Sequence, residues 1–246
     1  MNAETTAPDL GDLRATVAQA CRILAVEGLV EGTLGHVSVR AGDDRMLIRC
    51  RGTDDEGLMF AGDDDVRLTD FSGAIIGPDE GYRVPKELPI HGELLRARPE
   101  VNAVVHAHPP AVLVCGVAAL ELRPVFGAYN IPAMRMALEG IPVYPRSVLI
   151  SGPGLAQEMI AAMGDRPVCV LKGHGITVTG ESVEQAVVRA LNLNALATVT
   201  LEVARAGARA EPIPAEDIAE LPDLGSVFND LTVWRHHVAK ARSRGL

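Results

Sequence analysis

The stretch Val101-Asn102-Ala103-Val104-Val105-His106-Ala107-His108-Pro109-Pro110 decides the fold class. Val101 to Val105 is a valine-rich run of strand length that reads as a buried strand, and Pro109-Pro110 starts a short helix of small residues. Residues two apart in extended chain point to the same side, so His106 and His108 converge on one point from one strand end. His174 stands between Gly173 and Gly175, which let its backbone approach another segment closely. Three imidazoles with a position left open describe a catalytic metal site rather than a closed structural one. Each also has a plainer reading, as a core or loop histidine satisfied by ordinary hydrogen bonds.

Working outward, Leu13, Val17, Ala20, Ile23 and Leu24 recur at helical spacing, so Asp9 to Leu29 reads as an amphipathic helix that Gly28 and Gly32 stop. Val37 and Val39, then Met46 to Ile48, flank the turn signal Gly42-Asp43-Asp44 and predict a hairpin. Thr53 to Asp65 reads as loop and Val66 to Thr69 as strand. Pro85 is placed to open a helix that runs to about Arg98. Ile141 to Val143 and Val148 to Ile150 are predicted short strands, Gly154 to Met163 a helix, and Val168 to Leu171 a central strand. Ser182 to Ala206 reads as a long Ala-rich helix. The prediction is an α/β fold, a three-layer α/β/α single domain spanning 1–246 with a mixed central sheet and a C-terminal helical tail from about Gly225. His236 and His237 on that tail read either as a lid or, more simply, as part of an amphipathic helix packed on a subunit neighbour.

Composition limits the function classes. The chain has 246 residues, 48% hydrophobic and 22% charged, which suits one sizeable globular domain. Aromatics at 3% and a net charge of -9 argue against a nucleic-acid partner, which would call for stacking platforms and a basic excess. Cys21, Cys50, Cys115 and Cys169 lack paired spacing and read as reduced core residues. Met1 to Asp12 carries acids and no apolar run, and no stretch approaches the roughly 18 to 20 apolar residues of a membrane span. The expectation is a cytoplasmic protein with no membrane partner, and no glycine fingerprint for a nicotinamide cofactor is present.

Glu87 lies in the first turn of the Pro85 helix on this reading, with His91 four residues on and on the same face. A carboxylate near a metal but not bound to it is a natural general acid or base. The alternative is a solvated first-turn Glu beside a packing His.

Pro85-Lys86-Glu87, His91, the Val101 to Pro109 stretch and Lys172-Gly173-His174-Gly175 resemble the signature of the class II aldolase/adducin family. Gly35-His36-Val37-Ser38-Val39-Arg40 resembles that family's Gly-Asn-x-Ser-x-Arg turn, with His36 where Asn is usual. The resemblance spans roughly Leu13 to Ala206. It implies an α/β/α fold, a tetramer with sites at subunit interfaces, and one divalent metal ion per subunit held by His106, His108 and His174. It also implies Glu87 as the acid/base carboxylate and, by distance downstream of His108, Tyr129 as an assisting group from a neighbouring subunit. A packed interface Tyr is the alternative reading of Tyr129.

Sugar-phosphate enzymes of the family carry a Thr-Pro-Ser-Gly stretch for the phosphate; here Arg49-Cys50-Arg51-Gly52-Thr53-Asp54-Asp55-Glu56-Gly57 follows the second strand. Three consecutive acids disfavour a phosphate dianion, by about 1 kcal/mol or more at short range. Arg49 and Arg51 offer a fork for a substrate carboxylate, or else pair with the acidic run. With Gly35 and Ser38 they make the expected substrate-binding set. The pattern resembles the branch that decarboxylates hydroxylated aromatic or heteroaromatic dicarboxylates, with Glu87 as proton donor and His36 or His91 as relay. The expectation is therefore a metal-dependent lyase using zinc or manganese, with iron or cobalt compatible, acting on a small-molecule carboxylate. Aldol cleavage or dehydration of a hydroxy-carbonyl compound is the alternative, and a metal-free adducin-like interaction module the remote one.

Overall fold

The computed structural model describes residues 9–246; the part of the Met1 to Asp12 reading that concerns the first eight residues lies outside them. Helix α1 (Leu10–Val26) is capped by Asp9, whose side chain accepts the Gly11 N–H at 2.8 Å. Strands β1 (His36–Arg40) and β2 (Arg45–Arg49) form the predicted hairpin, and β3 (Val66–Asp70) pairs with β2. Then come α2 (Leu88–Ala97), β4 (Ala103–Ala107), α3 (Pro110–Val117), α4 (Ile131–Met136), β5 (Val143–Tyr144), α5 (Pro153–Met163), β6 (Val168–Leu171), β7 (Gly175–Gly180), α6 (Val183–Arg205), α7 (Ala215–Glu220) and α8 (Val227–Ser243).

The seven strands form one sheet in the order β3-β2-β1-β4-β7-β6-β5, antiparallel throughout except for the parallel β5–β6 pair. Alternation along the strands splits the apolar side chains between two cores. Val37, Val39, Leu47, Val105 and Val178 face α1, α3, α6 and Trp234 of α8, whereas Met46, Ile48, Val104 and Cys169 face α2 and α5. The predicted three-layer α/β/α arrangement with a mixed sheet is what forms.

Several local expectations differ. The central strand is β4, not Val168–Leu171, which lies one strand from the edge, and β7 was not foreseen because its run Gly-Ile-Thr-Val-Thr-Gly is glycine-bounded and half polar. Val148 to Ile150 is not a strand. Thr53 to Asp65 contains two short 3-10 turns. The α2 helix begins at Leu88 rather than Pro85: the Leu88 N–H donates to the Pro85 carbonyl at 3.0 Å in a turn, Pro89 occupies the first helical turn, and Glu87 becomes the residue ahead of the helix. Helix α8 packs on α1 and α6 of its own chain, with His237 Nδ1 2.8 Å and Lys240 Nζ 2.7 Å from the Glu27 carboxylate. Helix α6 is, by length and composition, apolar enough to cross a membrane, contrary to the sequence expectation; its small and aliphatic residues cover the sheet, with Leu193, Leu196 and Ala197 fully buried.

Gly175 opens β7 where β4 ends. A Cβ there would overlap the Ala107 carbonyl oxygen and stand 2.7 Å from His108 Cδ2. Overpacking of this kind costs about 1–3 kcal/mol, so Gly175→Ala is expected to lower Tm by roughly 2–12 °C in a thermal unfolding scan and to weaken metal binding with it, because His108 has to move.

Candidate metal centre

The centre is built on three strands. The register pairs His36 of β1 with His106 of β4, and His106 with Thr177 of β7, so these side chains share the α2 face of the sheet. His108, two residues on, returns to that face, and its backbone N–H donates to the Leu29 carbonyl at 2.9 Å. His174 sits in the β6–β7 turn, where its N–H donates to the Leu171 carbonyl at 3.0 Å. Gly173 there has φ +66°, and a Cβ would lie 2.7 Å from Ser147 Oγ, so the turn requires glycine.

Glu87 enters from the residue ahead of α2. Its Oε2 lies 3.3 Å from Nε2 of both His106 and His174, and its Oε1 accepts the Ile150 N–H at 2.9 Å. His108 Nε2 is 2.8 Å from His106 Nε2. One ligand atom from each of Glu87, His106, His108 and His174 lies within 4.8 Å of all the others. His106 Nδ1 is 3.0 Å from the Ile176 carbonyl, so it carries the ring proton and leaves the Nε2 lone pair free for the centre. Burial, then the neighbouring imidazoles, push His108 down to about 3, which keeps it a neutral ligand. Burial would raise the Glu87 carboxyl, but its close contacts with the His106 and His174 rings outweigh it and hold Glu87 ionised, well below the usual carboxylate range. Three imidazole nitrogens and a carboxylate oxygen in one small volume suit a divalent cation. The sequence reading placed Glu87 near the metal but off it; here its oxygen stands among the nitrogens, in reach of both roles.

Behind the centre runs a buried chain: His36 Nδ1 is 2.7 Å from His91 Nε2, and His91 Nδ1 is 2.6 Å from Ser38 Oγ. Burial, then the charge of neighbouring histidines, lowers both imidazoles, His91 to about 3. His36 stacks on His106 with ring centroids 4.9 Å apart and borders the cavity, whereas His91 is fully buried.

A cavity of about 590 Å³ opens on the centre, lined by Gly35, His36, Arg51, Glu87, His108 and His174 among others. Gly35 reaches it as backbone: φ is +85°, and a Cβ would lie 2.6 Å from Val30 Cγ1. Two expected substrate contacts are elsewhere. Ser38 is fully buried beneath α2 and serves His91. Arg49, 2% exposed, follows the parity of Leu47 onto the opposite face of the sheet, acts electrostatically on Cys21 of α1, and is ion-paired with Asp55. The Arg49–Arg51 fork therefore does not form. Tyr129 is 77% exposed and lies outside this cavity, against Phe126 and beside a second hollow between α4, α6 and α8. Sequence reasoning did not single out Arg83, which also lines the cavity, or the Ile150 N–H that orients Glu87. Neither carries a spacing signal, although Lys86 at the cavity edge adjoins Glu87 in the motif itself.

A 3,4-dihydroxyphthalate decarboxylase of Arthrobacter keyseri is 50% identical over 230 residues, covering 92% of this chain and 93% of that protein. One of Terrabacter is 51% identical over 229 residues, covering 92% and 96%. Among solved structures, an aldolase II superfamily protein from Pseudomonas syringae superposes with a TM-score of 0.81 at 20% identity, covering 98% of this chain and 96% of that one. Residues 15–201 match the family model described as Class II Aldolase and Adducin N-terminal domain, and with the sheet, the histidine triad and Glu87 in place the chain belongs to that family.

Proposed function

We propose that the chain is a metal-dependent carboxy-lyase that removes one carboxylate from a hydroxylated aromatic or heteroaromatic dicarboxylate. The observation that carries the reading is the four-donor centre opening on a cavity with cationic side chains, in a chain half identical to 3,4-dihydroxyphthalate decarboxylases along nearly its whole length. A metal-free interaction module would have no use for four converged donors.

His106, His108 and His174 would hold a divalent cation, which would supply Lewis-acid stabilisation of the charge that develops as the carbon–carbon bond breaks. Zinc and manganese are the proposed metals, and iron and cobalt suit the same donors. Glu87, kept ionised, is positioned to accept a ring-hydroxyl proton and to deliver it to the ring carbon that bears the departing carboxylate, so that the carbon–carbon bonding pair returns to the ring as carbon dioxide leaves. Its second oxygen stays on the Ile150 N–H, which fixes the carboxylate plane. His36 presents its free ring nitrogen at the cavity wall and His91 holds it from behind, so His36 is the substrate-facing member of the relay and His91 the positioning one. Gly35 lets the chain pass close under the substrate. In the same proposal the protein is a cytoplasmic homo-oligomer, tetrameric or a multiple of it. The four buried, unpaired cysteines fit a reducing compartment, and the exposed Tyr129 reaches a neighbouring subunit's site.

The deciding assay is metal-dependent carbon dioxide release from ortho-hydroxy aromatic dicarboxylates by protein loaded separately with zinc and manganese. Carbon dioxide is expected; an aldehyde from hydroxy-carbonyl substrates with no carbon dioxide would move the chain to the aldolase branch. Glu87→Gln should lose about 10²–10⁴-fold in turnover, the usual range for a lost acid–base group, while an isotopic metal analysis still finds bound ion. His106→Ala should lose most of its metal, and normal occupancy would refute its ligand role.

A further inference from the structure

A ring dicarboxylate keeps one of its carboxylates through decarboxylation, and that anion has to be held away from the centre. Residues 51 and 83 face each other in an isolated antiparallel bridge outside the main sheet. The Arg51 N–H donates to the Arg83 carbonyl and the Arg83 N–H to the Arg51 carbonyl, both at 2.9 Å. Directly opposed residues send their side chains to the same side, and Arg51 and Arg83 both line the cavity, with Lys86 beside them.

Like charges directly opposite one another are unfavourable, and here only a long contact from Asp55 to Arg51 offsets them. Arg83 and Lys86 form no ion pair among the described residues. The nearest acid to Arg51 is Asp55, 3.9 Å from its Nε and already paired with Arg49. Glu80 is taken by Arg67 at 2.7 Å. The only acid lining the cavity is Glu87, at the ligand end. The bridge is also built to close tolerance: Gly52 lies under the Tyr82 ring, where a Cβ would meet Tyr82 Cε1 at 3.1 Å, and Arg51 Nη2 is anchored on the Thr33 carbonyl at 2.7 Å. Arg51 is thus fixed, and Arg83 and Lys86 are left with unused donors.

We propose that Arg51, Arg83 and Lys86 form a clamp for the substrate carboxylate that is retained, and so select ring dicarboxylates over ring monocarboxylates; this rests on the reading of the chain as a ring decarboxylase. Arg83 is the specificity-determining residue, because a guanidinium fork matches a carboxylate in two parallel hydrogen bonds and a lysine does not.

The test measures kcat/KM for an ortho-hydroxy ring dicarboxylate and for the matching ring that lacks the retained carboxylate, in wild type, Arg83→Gln and Arg83→Lys, with far-UV circular dichroism and metal content as fold controls. Arg83→Gln should narrow the preference for the dicarboxylate by about 10- to 100-fold, the usual worth of a charge-assisted hydrogen bond, with most of the change in KM, and Arg83→Lys should recover part of it. An unchanged preference in folded, metal-loaded Arg83→Gln overturns the clamp. Calorimetric binding of benzene-1,2-dicarboxylate separates this from failure of the decarboxylase reading. If wild type releases no carbon dioxide yet binds this probe at least tenfold more tightly than Arg83→Gln, the clamp stands alone; equal affinity refutes it.

Discussion

The site depends on the pleat of β4 being held in one register by the strands on both sides. His106 faces α2 only because Val105 and Ala107 fill the opposite core, and a slip of one residue would exchange them. The same register sets His36 across from His106 and brings His108 back beside them. Gly35 and Gly175 flank this arrangement, and each lets a neighbouring backbone lie where a side chain would force β4 outward. A buried group of imidazoles is an expensive thing to assemble, since each ring needs a partner for its polar nitrogens. The apolar cores on the two faces of the sheet supply the stabilisation that keeps it in place.

The histidine cluster was legible in the sequence because its geometry is local. Alternation makes His106 and His108 converge whatever the rest of the fold does, and the glycines around His174 report a tight turn. The long helices and the first hairpin were legible for the same reason, since period and turn chemistry are properties of short windows. The Glu87 helix was misplaced by three residues because two prolines, Pro85 and Pro89, both suit a helix start, and the tertiary pull on Glu87 chose the second. Arg49 shows the limit of two-residue spacing. Arg49 and Arg51 would share a face only if β2 ran on as a regular strand, but it ends at Arg49 and Arg51 belongs to a separate bridge with Arg83. That bridge, like the His36–His91 contact, joins segments far apart in the chain, and no local pattern announces either.

Electrostatically the cavity has two ends. At one, Glu87 and the imidazoles of His106, His108 and His174 gather donor atoms suited to a cation; at the other, Arg51, Arg83 and Lys86 gather positive charge. A ligand that matches both ends carries metal-binding oxygens at one edge and an anion at the other, a pairing that a simple neutral carbonyl compound lacks. Asp54 to Glu56, read from the sequence as a field against anions, is partly cancelled, because Asp55 is spent on Arg49 on the far face of the sheet.

The His36–His91–Ser38 chain defines the direction in which protons can move. It ends at a fully buried serine, with no route to solvent along it, so it cannot deliver a proton from outside. What it can do is couple the tautomers: when Ser38 donates to His91 and His91 to His36, the other nitrogen of His36 carries the hydrogen. Burial holds both rings neutral, so the chain adds no net positive charge next to the metal ligands. On the proposed reading, the proton that reaches the ring carbon is handed over by a group that borders the cavity. Glu87 is such a group: it is ionised at rest, lies 3.3 Å from two ligand nitrogens and borders the cavity. On the proposed reading Glu87 carries the hydroxyl proton to the ring carbon, and the product's phenolate takes its replacement proton through the open cavity.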